Sequence, residues 1–270
     1  MASDFNATVT KFELINHGLL VLRVTPDDPL PPFKPGQYTV IGLPGSAPRV
    51  DYAEPENEPA DPAKLIKRAY SISSSSKQGA YFEFYVALVF TGALTPRLFA
   101  LQEGARIWIG KKAVGMFTLD DVNPDHDVIF VATGTGLAPY ISMLRSGYDF
   151  DDGHQTLIIH GARVSWDLGY MRELTGMATR YRSVHYLPII DEIDRDTDWP
   201  GKVGFVYEYF DDGTVESLLG HRWEPDRTSV FLCGNPLMIQ GMEKKLLGDG
   251  FKVNTRKEPG NIFVEKYWED

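Results

Sequence analysis

The sequence predicts an antiparallel β-barrel followed by a doubly wound parallel α/β domain. In the first part of the chain, short apolar stretches alternate with turn residues such as Pro35-Gly36, and this favours a small barrel. Beyond about residue 120, apolar strands alternate with helical patterns, and this favours a parallel sheet. The length of 270 residues suits two domains of ordinary size. We therefore expect one domain over 1–119 and a second over 120–270.

Turn residues separate the predicted barrel strands. Asn16-His17-Gly18 lies between the first two strands and is typical of a hairpin. The predicted strands are Thr8–Ile15, Leu19–Val24, Tyr38–Leu43, the run around Arg68–Ser71, Tyr81–Phe90 and Arg106–Ile109. The stretch from Gly45 to Lys67 is rich in Pro, Glu, Ala and Asp and has no hydrophobic period. It predicts a surface loop, with a functional lid as the alternative.

In the second half of the chain, strand patterns alternate with helix patterns. The predicted strands are Val128–Ala132, Thr156–His160, Val184–Ile190 and Val230–Cys233. The predicted helices begin at Leu137, at about Ser165 and at Asn235, and the last ends near Leu247. Each strand that leads into a helix is a unit of a parallel sheet.

Composition excludes several classes of protein. The net charge of −10 argues against general nucleic-acid binding, which needs a basic surface. No apolar stretch approaches the roughly 20 residues that span a bilayer, and residues 1–6 lack the features of a signal peptide. Cys233 is the single cysteine, so neither an internal disulfide nor a cysteine-ligated iron–sulfur cluster is possible. The histidines are isolated, and we assign no metal ligand. We expect a cytoplasmic protein without nucleic-acid or membrane partners.

Two segments carry the chemistry of a possible first site. Arg68-Ala69-Tyr70-Ser71 offers a guanidinium, a phenol and a hydroxyl on one strand. In the segment from Gly92 to Leu98, Gly92 permits close backbone approach and Thr95 stands at a predicted helix start. A fixed cation and an aromatic face suit a diphosphate that carries a ring system. Taken singly, these residues are more typical of a strand aromatic, a surface cation and a helix N-cap.

A second possible site follows the strand that ends near Thr133. Gly134-Thr135-Gly136 opens a helix, although Pro139 replaces the third glycine of the dinucleotide-binding fingerprint. A glycine turn here is equally typical of a purely structural connection. Cys233-Gly234-Asn235-Pro236 follows another strand, on the side where open α/β sheets bind ligands. Two dinucleotide sites in one chain would imply electrons passing between two cofactors.

Five segments occur in the order found in ferredoxin–NADP reductases. They are RAYS at 68–71, GALTPRL at 92–98, GTGLAP at 134–139, CGNP at 233–236 and the aromatic pair Tyr267-Trp268. Over nearly its whole length the chain resembles the bacterial ferredoxin/flavodoxin reductases. The resemblance implies a barrel that binds FAD without a covalent link, followed by an α/β domain that binds NADP. It also implies hydride transfer to FAD and single-electron transfer to a ferredoxin or flavodoxin.

The resemblance also assigns roles to individual residues. It places Tyr70 on one face of the flavin, Ser71 near the reactive ring nitrogen, Arg68 on the pyrophosphate and Cys233 against the nicotinamide ring. The remaining residues implied at FAD are Tyr85, Val86, Gly92, Leu94, Thr95 and Trp268. Those implied at the nicotinamide nucleotide are Gly134, Thr135, Gly136, Arg163, Asp191 and Lys202. Ser71, Cys233, Glu265 and Tyr267 are implied at the reacting centre, with Glu265 as a proton relay.

The choice between NADP and NAD depends on charges at the strand ends. Arg163 matches a family arginine, and arginine pairs well with a phosphate dianion. The family's Ser-Arg-Glu run is replaced by Asp191-Glu192, and a second arginine by Lys202. A carboxylate at a strand end suits a free ribose hydroxyl and repels phosphate. We expect use of NADH or of both nucleotides, unless Arg195 compensates for the acidic pair.

Several functional alternatives stay open on the sequence. An acidic ferredoxin or flavodoxin calls for a locally basic docking patch, for which Lys111, Lys112 and Arg97 are candidates beside a plain solvated surface. The same scaffold also suits an oxygenase-supporting reductase or a free-flavin reductase. A nucleotide-binding module without turnover is the alternative outside the enzymes.

Overall fold

A computed structural model describes residues 5–266, which divide into two compact units. The first unit extends to Thr118 and includes Ala138–Gly147, and the second comprises Leu119–Leu137 and the chain from Tyr148 onward. The main boundary thus lies one residue from the expected 119/120. The segment Ala138–Gly147, which we expected in the second domain, clusters with the first unit.

The first unit is an antiparallel barrel. Its strands are β1 (Ala7–Asn16), β2 (Leu19–Pro26), β3 (Tyr38–Pro44), β4 (Leu65–Ser71), β5 (Phe82–Ala87) and β6 (Arg106–Ile109). Their order is β4-β3-β6-β1-β2-β5, and an antiparallel bridge between Ile72 and Phe84 joins the two ends. Alternate residues of β2 and β5 fill the barrel interior, as the strand period requires.

Most barrel strands differ from their predicted bounds by one or two residues, and two departures are of note. The loop predicted to reach Lys67 ends earlier, because β4 begins at Leu65 and pairs with β3 from Pro44 onward. The strand predicted to reach Phe90 ends at Ala87. The following residues, Leu88 to Phe90, leave the sheet and lead into the glycine segment.

Two helices belong to the first unit, α1 (Thr95–Phe99) and α2 (Ala138–Arg145). Helix α2 is fixed to the barrel by polar contacts. Ser142 Oγ donates to the carbonyl of Ser74 at 2.7 Å, and Arg145 Nη1 lies 2.6 Å from the buried carboxylate of Glu83. Arg23 binds the same carboxylate at 2.7 Å. These contacts explain why α2 groups with the barrel.

The second unit is a parallel α/β sheet. Its strands are β7 (Asp127–Thr133), β8 (Thr156–Ala162), β9 (Val184–Ile190), β10 (Lys202–Val203), β11 (Thr228–Cys233) and β12 (Ile262–Glu265), in the order β10-β9-β8-β7-β11-β12. Its helices are α3 (Met171–Arg180), α4 (Glu208–Asp211), α5 (Thr214–Leu219) and α6 (Pro236–Gly248). Together with the barrel, this sheet confirms the predicted fold class.

Some elements of the second unit depart from the prediction. β10, β12, α4 and α5 were not predicted; of these, β10 has only two residues, too few to show a period. The helix expected at Leu137 begins one residue later, after a 3₁₀ turn over Gly134–Leu137. The helix expected near Ser165 begins at Met171, since Tyr170 has a φ of 61°. No helix within residues 5–266 is long and apolar enough to cross a membrane.

Candidate functional site

The Arg68–Ser71 run lies on a partly open edge of the barrel. β4 pairs with β3 along its length, and just beyond its end an antiparallel bridge between Ile72 and Phe84 connects it to β5. Arg68 is exposed, and its Nη1 donates to the carbonyl of Lys67 at 2.7 Å. The ring of Tyr70 packs edge-on against that of Phe84, 6.3 Å between centroids, and burial raises the pKa of its phenol. This edge offers a cation, an aromatic ring and backbone groups to a flat ligand.

Neighbouring β5 residues point in opposite directions. Val86 is fully buried in the barrel core, whereas Tyr85 does not belong to that cluster although it is only 3% exposed. Leu94 is likewise a core residue, 2% exposed. Val86 and Leu94 can therefore reach a ligand only through their backbone groups.

The segment around Gly92 is a tight loop before α1. Thr95 is the first residue of that helix, with Leu94 as its N-cap, so Thr95 is not the N-cap itself. Its Oγ1 accepts from the amide of Val89 at 2.9 Å and donates to the Val89 carbonyl at 3.2 Å. A Cβ on Gly92 would lie 3.0 Å from that carbonyl oxygen. The hydroxyl thus closes the loop, and the ligand-binding groups left in the segment are its amides.

These features fit FAD. The open edge of β4 suits the flat ring system, and the exposed guanidinium of Arg68 suits the pyrophosphate. The neutral phenol of Tyr70 provides an aromatic face. The amides of the Gly92 segment add donors for phosphate oxygens.

A second constellation lies in the other unit, where the strand order reverses. β7 and β11 are parallel neighbours, and their carboxyl ends carry Gly134–Gly136 and Gly234. A Cβ on Gly136 would lie 2.7 Å from the amide nitrogen of Gly234. Gly234 has a φ of +134°, and its own Cβ would lie 2.7 Å from the carbonyl of Thr133. Only glycine allows the two loops to approach this closely, at the position where open α/β sheets bind ligands.

The sequence CGNP builds the second of these loops. Thr133 Oγ1 accepts from the amide of Asn235 at 2.7 Å and so joins β7 to the loop after β11. The side chain of Asn235 caps α6 by accepting from the amide of Leu237 at 2.8 Å, and Pro236 is the first helical residue. Asn235 and Pro236 therefore begin α6, and the Asn235 amide also joins the loop to β7.

A buried histidine supports the first loop. Nε2 of His160 lies 3.3 Å from the carbonyl of Gly134 and donates to it, while Nδ1 accepts from the hydroxyl of Tyr186 at 3.2 Å. Complete burial lowers the pKa of His160 to about 4, so the ring is neutral. Sequence reasoning missed this residue, because its partner lies 26 positions away.

Cys233 and Glu265 stand together at the carboxyl ends of β11 and β12. The strand register pairs these two residues. Cys233 Sγ is buried and lies 3.8 Å from Glu265 Oε2. A soft, uncharged surface beside a carboxylate suits the approach of a nicotinamide ring and a proton relay next to it.

The charges considered for nucleotide choice lie at the ends of β8, β9 and β10. Arg163 follows β8, is 67% exposed and lies 3.7 Å from the carboxylate of Asp167. Asp191 follows β9, and burial together with Glu192 raises its pKa. Lys202 on β10 forms an ion pair with Asp212. Arg195 pairs with Glu192, so each cation in this group already has a carboxylate partner.

One expectation is wrong, and others fall outside the description. Arg97 is not a docking cation, because it is 4% exposed and binds the carbonyls of Gly45 and Ala93. Lys111 and Lys112 are exposed, as expected. Tyr267 and Trp268 lie outside the described residues. Phe205, 52% exposed beside β10 and stacked on Tyr207, was not singled out from sequence.

Comparisons with known proteins place these features in context. Residues 130–244 match the family model described as an oxidoreductase NAD-binding domain. A flavodoxin/ferredoxin–NADP reductase of Shigella flexneri is 32% identical over 270 residues, covering 99% of this chain and 100% of the relative. A ferredoxin NADP+ reductase of Neisseria gonorrhoeae, solved with FAD and NADP, superposes with a TM-score of 0.81 at 20% identity, covering 97% of this chain and 98% of that one. A cytochrome P450 reductase of Amycolatopsis superposes at 0.73 with 23% identity, covering 98% and 70%.

Proposed function

This chain belongs to the flavodoxin/ferredoxin–NADP reductase family, and we propose that it passes electrons between NAD(P)H and a ferredoxin or flavodoxin through bound FAD. One observation carries the proposal. A single chain holds both an open barrel edge with Arg68 and Tyr70 and a glycine cradle at Gly136 and Gly234, where the parallel sheet reverses its strand order. These are the two sites that such a reaction needs.

The barrel residues bind and orient the flavin. When bound, FAD supplies the chemistry: it takes two electrons as a hydride and releases them singly. Arg68 binds the pyrophosphate, Tyr70 covers one ring face and Ser71 hydrogen-bonds near the reactive nitrogen. Tyr85 contributes from β5, and the backbone of Val86 passes the cofactor.

The residues of the second unit bind and orient the nicotinamide nucleotide. The backbone of Gly134, Thr135 and Gly136 approaches the pyrophosphate. The fixed geometry of this loop favours the binding of that group. Cys233 would lie against the nicotinamide ring, and the neighbouring carboxylate of Glu265 would relay the proton that is released when the reduced cofactor gives up its electrons. The protein thus binds and orients the two cofactors, and the cofactors carry the electrons.

The charges at the ends of β8 to β10 support use of both NADH and NADPH. Arg163 is exposed and able to turn towards a 2′-phosphate, but it already faces Asp167. Lys202 is bound to Asp212, and Asp191 adds a carboxylate at the end of β9. A phosphate dianion therefore gains little net attraction over a ribose hydroxyl.

The electron partner binds to the barrel unit. Lys111 and Lys112 are exposed and precede the exposed apolar side chains of Val114 and Met116. A basic patch with apolar side chains beside it is complementary to an acidic redox protein, in spite of the overall charge of −10. The reaction takes place in the cytoplasm, where both nucleotides are available.

Electron delivery to a partner tests the proposed function. The FAD-loaded protein is mixed with NADPH or NADH and with a flavodoxin, a ferredoxin or free FMN, and reduction of each acceptor is followed by absorbance. We expect either nucleotide to support reduction of a protein acceptor faster than that of FMN. Faster reduction of FMN would favour a free-flavin reductase, and kcat/KM far higher for NADPH than for NADH would contradict dual use.

A further inference from the structure

The loop over residues 45–64, which we call the acidic loop, is anchored through one carboxylate. Glu56 is 10% exposed, and it forms ion pairs with Arg49, at 3.0 Å, and with Arg97. Hydrogen bonding from Arg97 lowers the pKa of Glu56 below its usual value, which keeps the carboxylate ionised at neutral pH. The loop is therefore held at a defined place although it contains no helix or strand.

The two arginines bind the backbone of the glycine segment before α1. Arg49 donates to the carbonyls of Phe90, at 3.2 Å, and Gly92, at 3.3 Å. Arg97 donates to the carbonyl of Ala93 at 2.5 Å and to that of Gly45 at 2.6 Å. The carbonyls of Phe90, Gly92 and Ala93 thus point towards the two guanidinium groups. Both of these groups bind the carboxylate of Glu56.

The geometry of the peptide bond fixes the direction of the amide groups in this segment. In a planar trans peptide, the amide N–H points opposite to the preceding carbonyl. The amides of Thr91, Ala93 and Leu94 are therefore directed away from the arginines. None of these three amides donates a hydrogen bond to any residue within 5–266. Leu94 is only 2% exposed, and a donor in so buried a residue calls for an acceptor.

We propose that Glu56 is a positioning residue for FAD: through Arg49 and Arg97 it orients the glycine segment so that the amides of Thr91, Ala93 and Leu94 meet the pyrophosphate. The inference rests on the proposed function, since it presupposes that FAD binds this segment. It assigns to the acidic loop a role in cofactor retention. Within the described residues the buried Nε of Arg97 has no hydrogen-bond partner, so this guanidinium is held through Glu56 and the carbonyls of Ala93 and Gly45.

The rate of FAD release tests the proposal. Glu56→Gln removes the charge that both arginines share, and we expect about ten- to hundredfold faster release and weaker binding, from the cost of a charged hydrogen bond. Release is followed by flavin fluorescence, affinity by titrating the apoprotein with FAD, and folding by the Tm of the apoprotein. Glu58→Gln, at an exposed glutamate of the same loop, is the matched control and should behave like the unmodified protein.

Each outcome decides one point. Faster release with an unchanged Tm of the apoprotein supports the proposal, and an unchanged release rate overturns it. If Glu56→Gln lowers the Tm of the apoprotein, Arg49→Lys decides, because it keeps the charge but loses the paired donors to Phe90 and Gly92. Faster release from that variant supports the role, and unchanged release overturns it. An unmodified protein that binds no FAD would instead overturn the proposed function.

Discussion

The most consequential single residue in the second unit is one that sequence reasoning did not identify. His160 holds the carbonyl of Gly134 inward through its Nε2 proton, and Tyr186 fixes the tautomer from the other side. With that carbonyl turned inward, the amide of Thr135 is turned outward, towards the phosphate that the loop is proposed to bind. This arrangement requires a neutral imidazole, because Nδ1 accepts a hydrogen bond, and burial keeps the ring neutral by disfavouring the charged form.

The low pKa of His160 predicts acid sensitivity of the fold. Since the folded-state pKa of about 4 lies below the ordinary 6.5, the unfolded chain binds the proton more tightly, and stability falls as the pH drops from 6.5 towards 4. At pH 5 the loss from this group is about 2 kcal/mol. His160→Gln, which keeps an N–H donor, should lose less stability between pH 7 and pH 5 in urea unfolding. His17→Gln, at an exposed histidine, serves as the control; equal pH dependence in all three proteins would contradict the assignment.

Candidate site residues could be proposed from sequence where their chemical groups are neighbours along the chain. The chemical groups of Arg68 to Ser71 and of Gly134 to Gly136 stand together in the sequence; the first set lies on β4 and the second follows β7. Glu56 and His160 could not be found in this way. The partner of Glu56 lies 41 positions away and that of His160 lies 26 positions away, so only the fold brings them together.

At the scale of elements, the two loops that meet at the end of β7 and β11 depend on glycine. Gly136→Ala would place a methyl group against the backbone of Cys233 and Gly234, which cannot move as a side chain does. We expect a loss of about 1–3 kcal/mol in the free energy of unfolding, together with weaker nucleotide binding. Urea unfolding and calorimetric titration with NADP+ measure the two effects.

Gly241→Ala is the matched control for this substitution. Gly241 lies inside α6 with nothing within 4 Å of the added methyl group, so the change should stabilise the protein by about 0.5–1 kcal/mol. If Gly136→Ala proved as stable as Gly241→Ala and bound nucleotide normally, the close approach of the two loops would not matter.

Some elements were predicted more closely than others. β6 and β9 have the predicted bounds, and β8 differs only at its end. β10 has two residues, too few to show a period, and β12 was not predicted although its first three residues are apolar; both strands carry or adjoin candidate site residues. Helix α3 begins late because Tyr170 adopts a left-handed conformation that no sequence pattern signals.

At the scale of the whole molecule, each unit contributes one of the two candidate sites. The barrel carries the flavin residues, and the parallel sheet carries the nucleotide residues. The change of hydrophobic period near residue 120 lies close to the main division between the two units. The grouping of α2 with the barrel was not predicted, because it depends on long-range contacts such as that between Arg145 and Glu83.

Anaerobic stopped-flow reduction of the FAD-loaded protein examines the proposed electron transfer at its first step. The flavin absorbance is followed after mixing with NADPH and, separately, with NADH. We expect rapid bleaching with both nucleotides, at rates that exceed steady-state turnover. A protein that takes up FAD but is bleached by neither nucleotide would contradict the proposed electron transfer.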